Sequence, residues 1–454
     1  VSDSNEYPVL TRLSDRSNLI RGGVRMQFTK AHITLEQGGI LFRDDQDLST
    51  SDRNLGNRTT PIFGQTLVLN ELLQAYEVEG SSIYSKGFLT AQPFSWIDVS
   101  AAFQFSQPRN DVNYRQLNQG RFIDLDSLLF FNSQNIRLLG AAQQPHVTAN
   151  LGAELRPASR FRILTSWMTD RLHNASGIVD TAFVDRLEWR YSQVQTEALV
   201  DITRRLSARG GYRYVWGDGM ARAPFLQSTA MALERGELKR HAMLAGVAYR
   251  ITDRISVNAD SEVARSDRVL FRTSMSDYEK VRLRGRYQLL DSLQLYGTFQ
   301  YLNNSNPPEL NQFEFQSRQT SIGLQWLPKQ GQTFQFLGEY SRSAIRSDLL
   351  FYVPQFLQQD RSFYRDNAHT ITGLVTWNIA AGWTWQPQLS FGGSAFVSSG
   401  SRPTDFYQPV VKLRAPLAPH IDLIAEYRYY QVSQAFYAFE GFRNHQGIVG
   451  IRIH

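Results

Sequence analysis

Arg282, Arg284 and Arg286 take every second position of VRLRGRYQLL, residues 281–290. In an extended chain successive side chains point to opposite faces, so the three guanidinium groups share one face. Val281, Leu283, Gly285 and Tyr287 share the other. Like charges two residues apart repel, and such a row is tolerated where water or carboxylates on flanking strands surround it. The segment before it, ISVNADSEV at 255–263, alternates in the same way and supplies Asp260 and Glu262. The chemistry this offers is reversible contact with small anions, not bond making. Reading alternate positions along the rest of the chain gives one polar-face set: Arg156, Arg162, Arg209, Arg213, Asp260, Glu262, Arg282, Arg284, Arg286, Glu339, Glu426 and Arg428. Both signs occur, with an arginine excess that leans toward anions.

Catalytic and metal-binding patterns are missing. Ser166, Asp170 and His173 lie close together, but His173 has the opposite strand parity to the other two. There is no HExxH, no GxSxG, no phosphate-cradling glycine loop and no dinucleotide fingerprint. The eight histidines show no metal-ligand spacing. Asp44, Asp45, Asp47 and Asp52 fall in what reads as a long loop and lack the EF-hand spacing for calcium. The chain has no cysteine, which removes disulfides, thiolate metal sites, cysteine nucleophiles and CxxCH haem attachment. The expectation is a protein that is not an enzyme and carries no cofactor of its own. A formal charge of +6 over 454 residues does not point to nucleic acid.

The elements that hold these residues are strands. Apolar residues make up 42 % of the chain and charged residues 20 %, so the chain is expected to be ordered. Tyrosine and phenylalanine together number 48, which favours strands. The alternating pattern recurs in pairs of segments of about ten residues joined by short turns. These turns fall near residues 29, 93, 158, 204, 253, 291, 329, 380 and 418. Longer polar connections separate the pairs, at 43–71, 108–144, 217–237, 304–314, 344–366 and 432–442. Nine pairs and a last strand, HQGIVGIRIH, make nineteen, and even numbers are the rule, so the expectation is about 20 strands. No stretch is a solid apolar block long enough for a membrane helix.

Tight turns at one end, long loops at the other, and rings such as Trp96, Trp216, Trp326 and Tyr427 near strand ends all fit a membrane barrel. The fold expected is all-β: a single closed antiparallel transmembrane β-barrel over residues 1–454, with short periplasmic turns and long extracellular loops. The polar-face set would then line its lumen. Residues 108–144, containing FIDLDSLLFFNSQNIRLL, are expected to form an inward-folded loop or an extra hairpin. The chain opens on Val1 without an initiator methionine, as expected after removal of a leader or for a piece of a longer chain.

For such a barrel the first expectation is a porin of the bacterial outer membrane, passing small solutes by passive diffusion. Its partners would be outer-membrane lipid and lipopolysaccharide, with no nucleic acid. An export barrel for a polymer is an alternative. A third comes from hairpin style. YRITDRISVNADSEV (249–263) and YQLLDSLQLYGTFQYL (287–302) share a Tyr-x-x-x-Asp turn followed by alternating apolar residues. In that respect the chain resembles the large barrels of porin–cytochrome electron conduits. The resemblance implies a sheath enclosing a periplasmic or lumen-bound partner protein, such as a multihaem cytochrome, which would hold any haem.

Overall fold

The computed structural model describes residues 5, 7, 9–56, 60–124, 129–178, 184–224, 231–269, 273–306, 312–328, 334–353, 358–379, 387–434 and 441–453. Their regular structure is a twenty-stranded antiparallel sheet, with no helix among the described residues. The strands are β1 (Leu10–Gln27), β2 (Ala31–Thr50), β3 (Val68–Phe94), β4 (Ile97–Asp124), β5 (Leu129–Gln143), β6 (His146–Ala158), β7 (Phe161–Ile178), β8 (Val184–Asp201), β9 (Leu206–Pro224) and β10 (Met231–Arg250). They continue as β11 (Ile255–Arg268), β12 (Asp277–Leu290), β13 (Leu293–Ser305), β14 (Phe313–Trp326), β15 (Phe334–Val353), β16 (Gln358–Asn378), β17 (Gln388–Gly400), β18 (Thr404–Ala418), β19 (Ile421–Gln434) and β20 (Phe442–Ile453). The short turns fall where the alternation resets, between β1 and β2, β3 and β4, β6 and β7, β8 and β9, β10 and β11, β12 and β13, and β18 and β19. The expected turns near 329 and 380 lie in segments, 329–333 and 380–386, outside the described residues.

The strands are longer than alternation alone indicates. They run from 12 residues in β20 to 28 in β4, against the expected ten or so. Much of 43–71, 108–144, 217–237 and 344–366 is strand, not loop. Beyond the bilayer both faces of a sheet are wet, so apolar/polar alternation fades there. The backbone ladder, which needs no particular side chain, continues.

The chain forms two compact units. The first comprises residues 1–155, 165–194 and 215–237. In it β1 pairs with β2, β2 with β3 and β3 with β4. The upper part of β4 pairs with β5, from Arg109 opposite Gln143. The lower part pairs with β6, from Ser106 opposite His146. β5 and β6 therefore follow one another along a single partner, interrupted at Gln144 and Pro145, where proline has no N–H to give the ladder. Residues 109–124 and 129–143 of the 108–144 segment thus form an antiparallel strand pair. Leu69, Phe122 and Ile123 are each buried in this unit. The second unit comprises residues 156–164, 195–214 and 238–454. There β10 to β20 pair consecutively in one antiparallel meander.

Candidate functional site

Within the second unit the registers gather the charged residues around Asp260. Asp260 on β11 lies opposite Gly246 on β10 and Arg282 on β12, and Glu262 lies opposite Lys280. Arg284 Nη2 donates to Asp260 Oδ2 at 2.8 Å. From β9, Arg209 Nη2 donates to Asp260 Oδ1 at 2.8 Å while its Nη1 donates to Glu197 Oε2 at 3.1 Å. A ladder Glu197–Arg209–Asp260–Arg284 results, two carboxylates alternating with two guanidiniums. These charge-assisted bonds share a face that stays accessible to water. One register step along, Glu262 takes the Tyr278 hydroxyl and pairs with Arg213.

Arg209 reaches past the intervening strand because Gly246 leaves the space open. A Cβ at 246 would lie 2.5 Å from Arg209 Nε and 2.9 Å from Asp260 Oδ1. The arrangement recurs where Tyr296 on β13 lies across Gly323 on β14, and its hydroxyl donates to Glu339 Oε2 on β15 at 2.9 Å. Gly246→Val is expected to break the Arg209–Asp260 bond and lower the thermal unfolding midpoint of the folded protein. Gly285→Val is the control, because a Cβ there meets nothing within 4 Å. Equal midpoints for the two variants would show that the open space at 246 is unimportant.

The ladder balances its own charges, but β12 carries more. Arg282 donates from Nε and Nη2 to Gln300 Oε1 at 3.2 and 3.0 Å, and Arg286 donates from Nη2 to Gln288 Oε1 at 3.2 Å. Among the described residues no carboxylate forms an ion pair with Lys280, Arg282 or Arg286. A surplus of three cations therefore lines one strand, and neutral amides that hold Arg282 and Arg286 leave their charge uncancelled.

The rest of the polar-face set is dispersed through the unit. Glu426 lies between Lys412, at 3.0 Å, and Arg428, and Arg428 Nη1 also donates to the Tyr430 hydroxyl at 3.2 Å. Arg156 and Arg162 flank the β6–β7 turn, with Arg162 3.7 Å from Asp201. Glu197 and Tyr278 belong with the ladder and its neighbour Glu262, Lys280 belongs with the cation row, and none of the three is in the sequence set. Strand parity could have found all three, since Glu197 alternates with Gln195 and Lys280 continues the arginine row.

In the first unit the Ser166, Asp170 and His173 set is not assembled. Asp170 Oδ1 bonds His146 Nε2 at 2.9 Å and the Trp189 indole at 3.1 Å, and His173 Nδ1 sits 2.7 Å from Glu188. The expected aspartate loop is a correction too. Asp44, Asp45 and Asp47 lie on β2, where alternation sends Asp44 to the opposite face, and Asp45 is held by Arg43 at 2.8 Å. No group of potential metal ligands occurs among the described residues.

The opposite face of the second unit is apolar and uncovered. Val257, Val263, Leu283, Tyr287, Leu289 and Phe299 are 36–41 % exposed, and Ile322 and Ile371 reach 59 %. Apolar side chains in such numbers are stable only against another apolar phase. Among the described residues no helix is long and apolar enough to cross a membrane. The chain has the fold of an outer-membrane β-barrel, and its place is the bacterial outer membrane.

Solved structures agree with that assignment. The chain is similar to the outer membrane transporter YddB from Escherichia coli, with a TM-score of 0.57, 8 % identity, and coverage of 96 % of this chain and 68 % of that one. It is similar to the closed form of the ferric-catecholate import receptor Fiu from E. coli K12, with a TM-score of 0.56 and 10 % identity, covering 100 % and 82 %. It is also similar to the siderophore receptor PiuA from Acinetobacter baumannii, with a TM-score of 0.55 and 9 % identity, covering 99 % and 82 %. At these identities the likeness is one of fold. No protein-family model matches the chain, and no curated protein does.

Proposed function

We propose that the sheet closes into a barrel whose charged face lines a water-filled path, and that the protein passes small anionic solutes across the outer membrane by passive diffusion. The observation that carries this reading is the cation surplus of Lys280, Arg282 and Arg286, bonded to amides or to no carboxylate, beside a ladder whose own charges balance. A permeating anion about 5–8 Å from one such charge gains ~0.5–0.8 kcal/mol in water before salt screening.

The test is reversal potential in a planar bilayer under a salt gradient. Arg282→Gln/Arg286→Gln is expected to lower the anion-to-cation permeability ratio roughly three- to tenfold. An unchanged ratio would refute the proposal that these residues line the path. A second reading, import of a specific ligand through a barrel that stays shut without it, is favoured by the fold of the import receptors. Steady conductance of the purified protein supports passive diffusion. Silence until a ligand is added supports import, and silence with a co-purifying haem protein supports a sheath.

A further inference from the structure

The apolar face of the second unit carries a basic cluster that plays no part in the ladder. Arg318 on β14, Arg342 and Arg346 on β15, and Arg365 on β16 have the parity of Ile322, Tyr340 and Ile371, and all four are exposed. Arg346 and Arg365 stand directly opposite each other, and Arg318 faces Ala344, between Arg342 and Arg346. Like charges directly opposed across two strands are unfavourable.

No ion pair offsets that cost. Among the described residues no carboxylate forms an ion pair with any of the four. Asp348, on the same face one step beyond Arg346, is held by Arg361, and Glu314 lies directly opposite Asp348. The guanidiniums rest instead on neutral partners. Arg346 and Arg365 both lie over the Phe363 ring, at 5.7 and 4.8 Å. Arg318 lies over Tyr301 at 5.7 Å, and Arg342 Nε donates to Asn367 Oδ1 at 2.9 Å.

Depth along the strand identifies what covers them. Arg342 and Arg346 lie eight and twelve residues past Phe334, where β15 leaves the short-turn end. At about 3.3 Å per residue and about 40° of tilt, that is roughly 20–30 Å along the membrane normal, the far rim of an apolar band about 25 Å tall. Apolar side chains lie on the band side of the cluster. The long-loop rim of an outer-membrane barrel faces the outer leaflet.

We infer that Arg318, Arg342, Arg346 and Arg365 form a binding site for a phosphorylated glycolipid of the outer leaflet. Its phosphates bridge the opposed arginines, and its acyl chains lie along Tyr340, Ile322 and Ile371. A bidentate phosphate between Arg346 and Arg365 turns a repulsive pair into an attractive one.

The test measures binding to nanodiscs of neutral phospholipid containing bisphosphoryl lipid A, with phosphatidylglycerol nanodiscs and inorganic phosphate as comparisons. The Arg318→Gln/Arg342→Gln/Arg346→Gln/Arg365→Gln protein is expected to bind lipid A about tenfold more weakly or worse. Its heat-modifiable gel mobility reports that it is folded. If that variant does not fold, Arg365→Gln alone serves. It is expected to match or exceed wild type in thermal midpoint in neutral detergent, and to gain less than wild type on addition of lipid A. Undiminished lipid A binding, equal retention of phosphatidylglycerol, or competition by inorganic phosphate at the same concentration would each overturn the assignment.

Discussion

Leu283→Arg is expected to destabilise the protein in lipid by ~1–3 kcal/mol. Leu283 belongs to the uncovered apolar face, opposite Phe299 on β13 and Ala259 on β11. It lies seven residues from Leu290 at the short-turn end, inside the apolar band but above its centre. An arginine there has no water and no partner. Thr372→Arg sits at a comparable distance from the short-turn end, but on the polar face and opposite Glu339. That substitution gains a carboxylate neighbour and is expected to change stability by no more than ~1 kcal/mol. Denaturant unfolding in phospholipid vesicles measures both. Equal costs would mean that the assignment of faces is wrong.

Removal of the carboxylate at the centre of the ladder has the second largest expected effect. Asp260→Ala leaves Arg209 and Arg284 facing one another with their shared acceptor gone, and Arg282 directly opposite. Each bond to a charged group is worth ~1.5–3 kcal/mol when well sheltered. Here the arginines are 41 % and 49 % exposed, so water recovers much of the loss. The expected destabilisation is ~1–3 kcal/mol. Asp260→Ala/Arg284→Gln is expected to regain part of it, because one of the opposed charges goes. In the bilayer assay Asp260→Ala should raise anion preference, opposite in sign to the arginine-to-glutamine changes. A variant that is both stable and unchanged in selectivity would remove Asp260 from both roles.

Much of this architecture was legible in the residue order. Alternation resets at each short turn, so the ends of β6, β8, β10, β12 and β18 are readable from Pro157, Thr203, Asp253, Asp291 and His420 and their neighbours. Adjacent hairpins also bring Asp260 and Glu262 beside the arginine row, since consecutive antiparallel strands are neighbours. Strand length was not legible. Above the membrane rim the side-chain signal disappears while the backbone ladder runs on, as in β3 and β4. The reach of Arg209 to Asp260, 51 residues away and across a strand, was not legible either. It depends on a long side chain finding an empty site on the strand between, which no local pattern records. Asp44 and Asp45 misled for the opposite reason. A cluster in sequence becomes two faces once the segment is extended.

Gly246 and Gly323 bear on how the strands find their register. A slip of one residue turns apolar side chains away from lipid and is penalised at once. A slip of two residues keeps every side chain on its proper face, so hydrophobic patterning is blind to it. Moving β10 by two would bring Leu244 or Ala248 under Arg209, and moving β14 by two would bring Ser321 or Gln325 under the Tyr296 ring. Each replaces an empty site with atoms and severs a bond that spans three strands. The two glycines therefore act as register marks, distinguishing the native alignment from neighbours that lipid alone would accept.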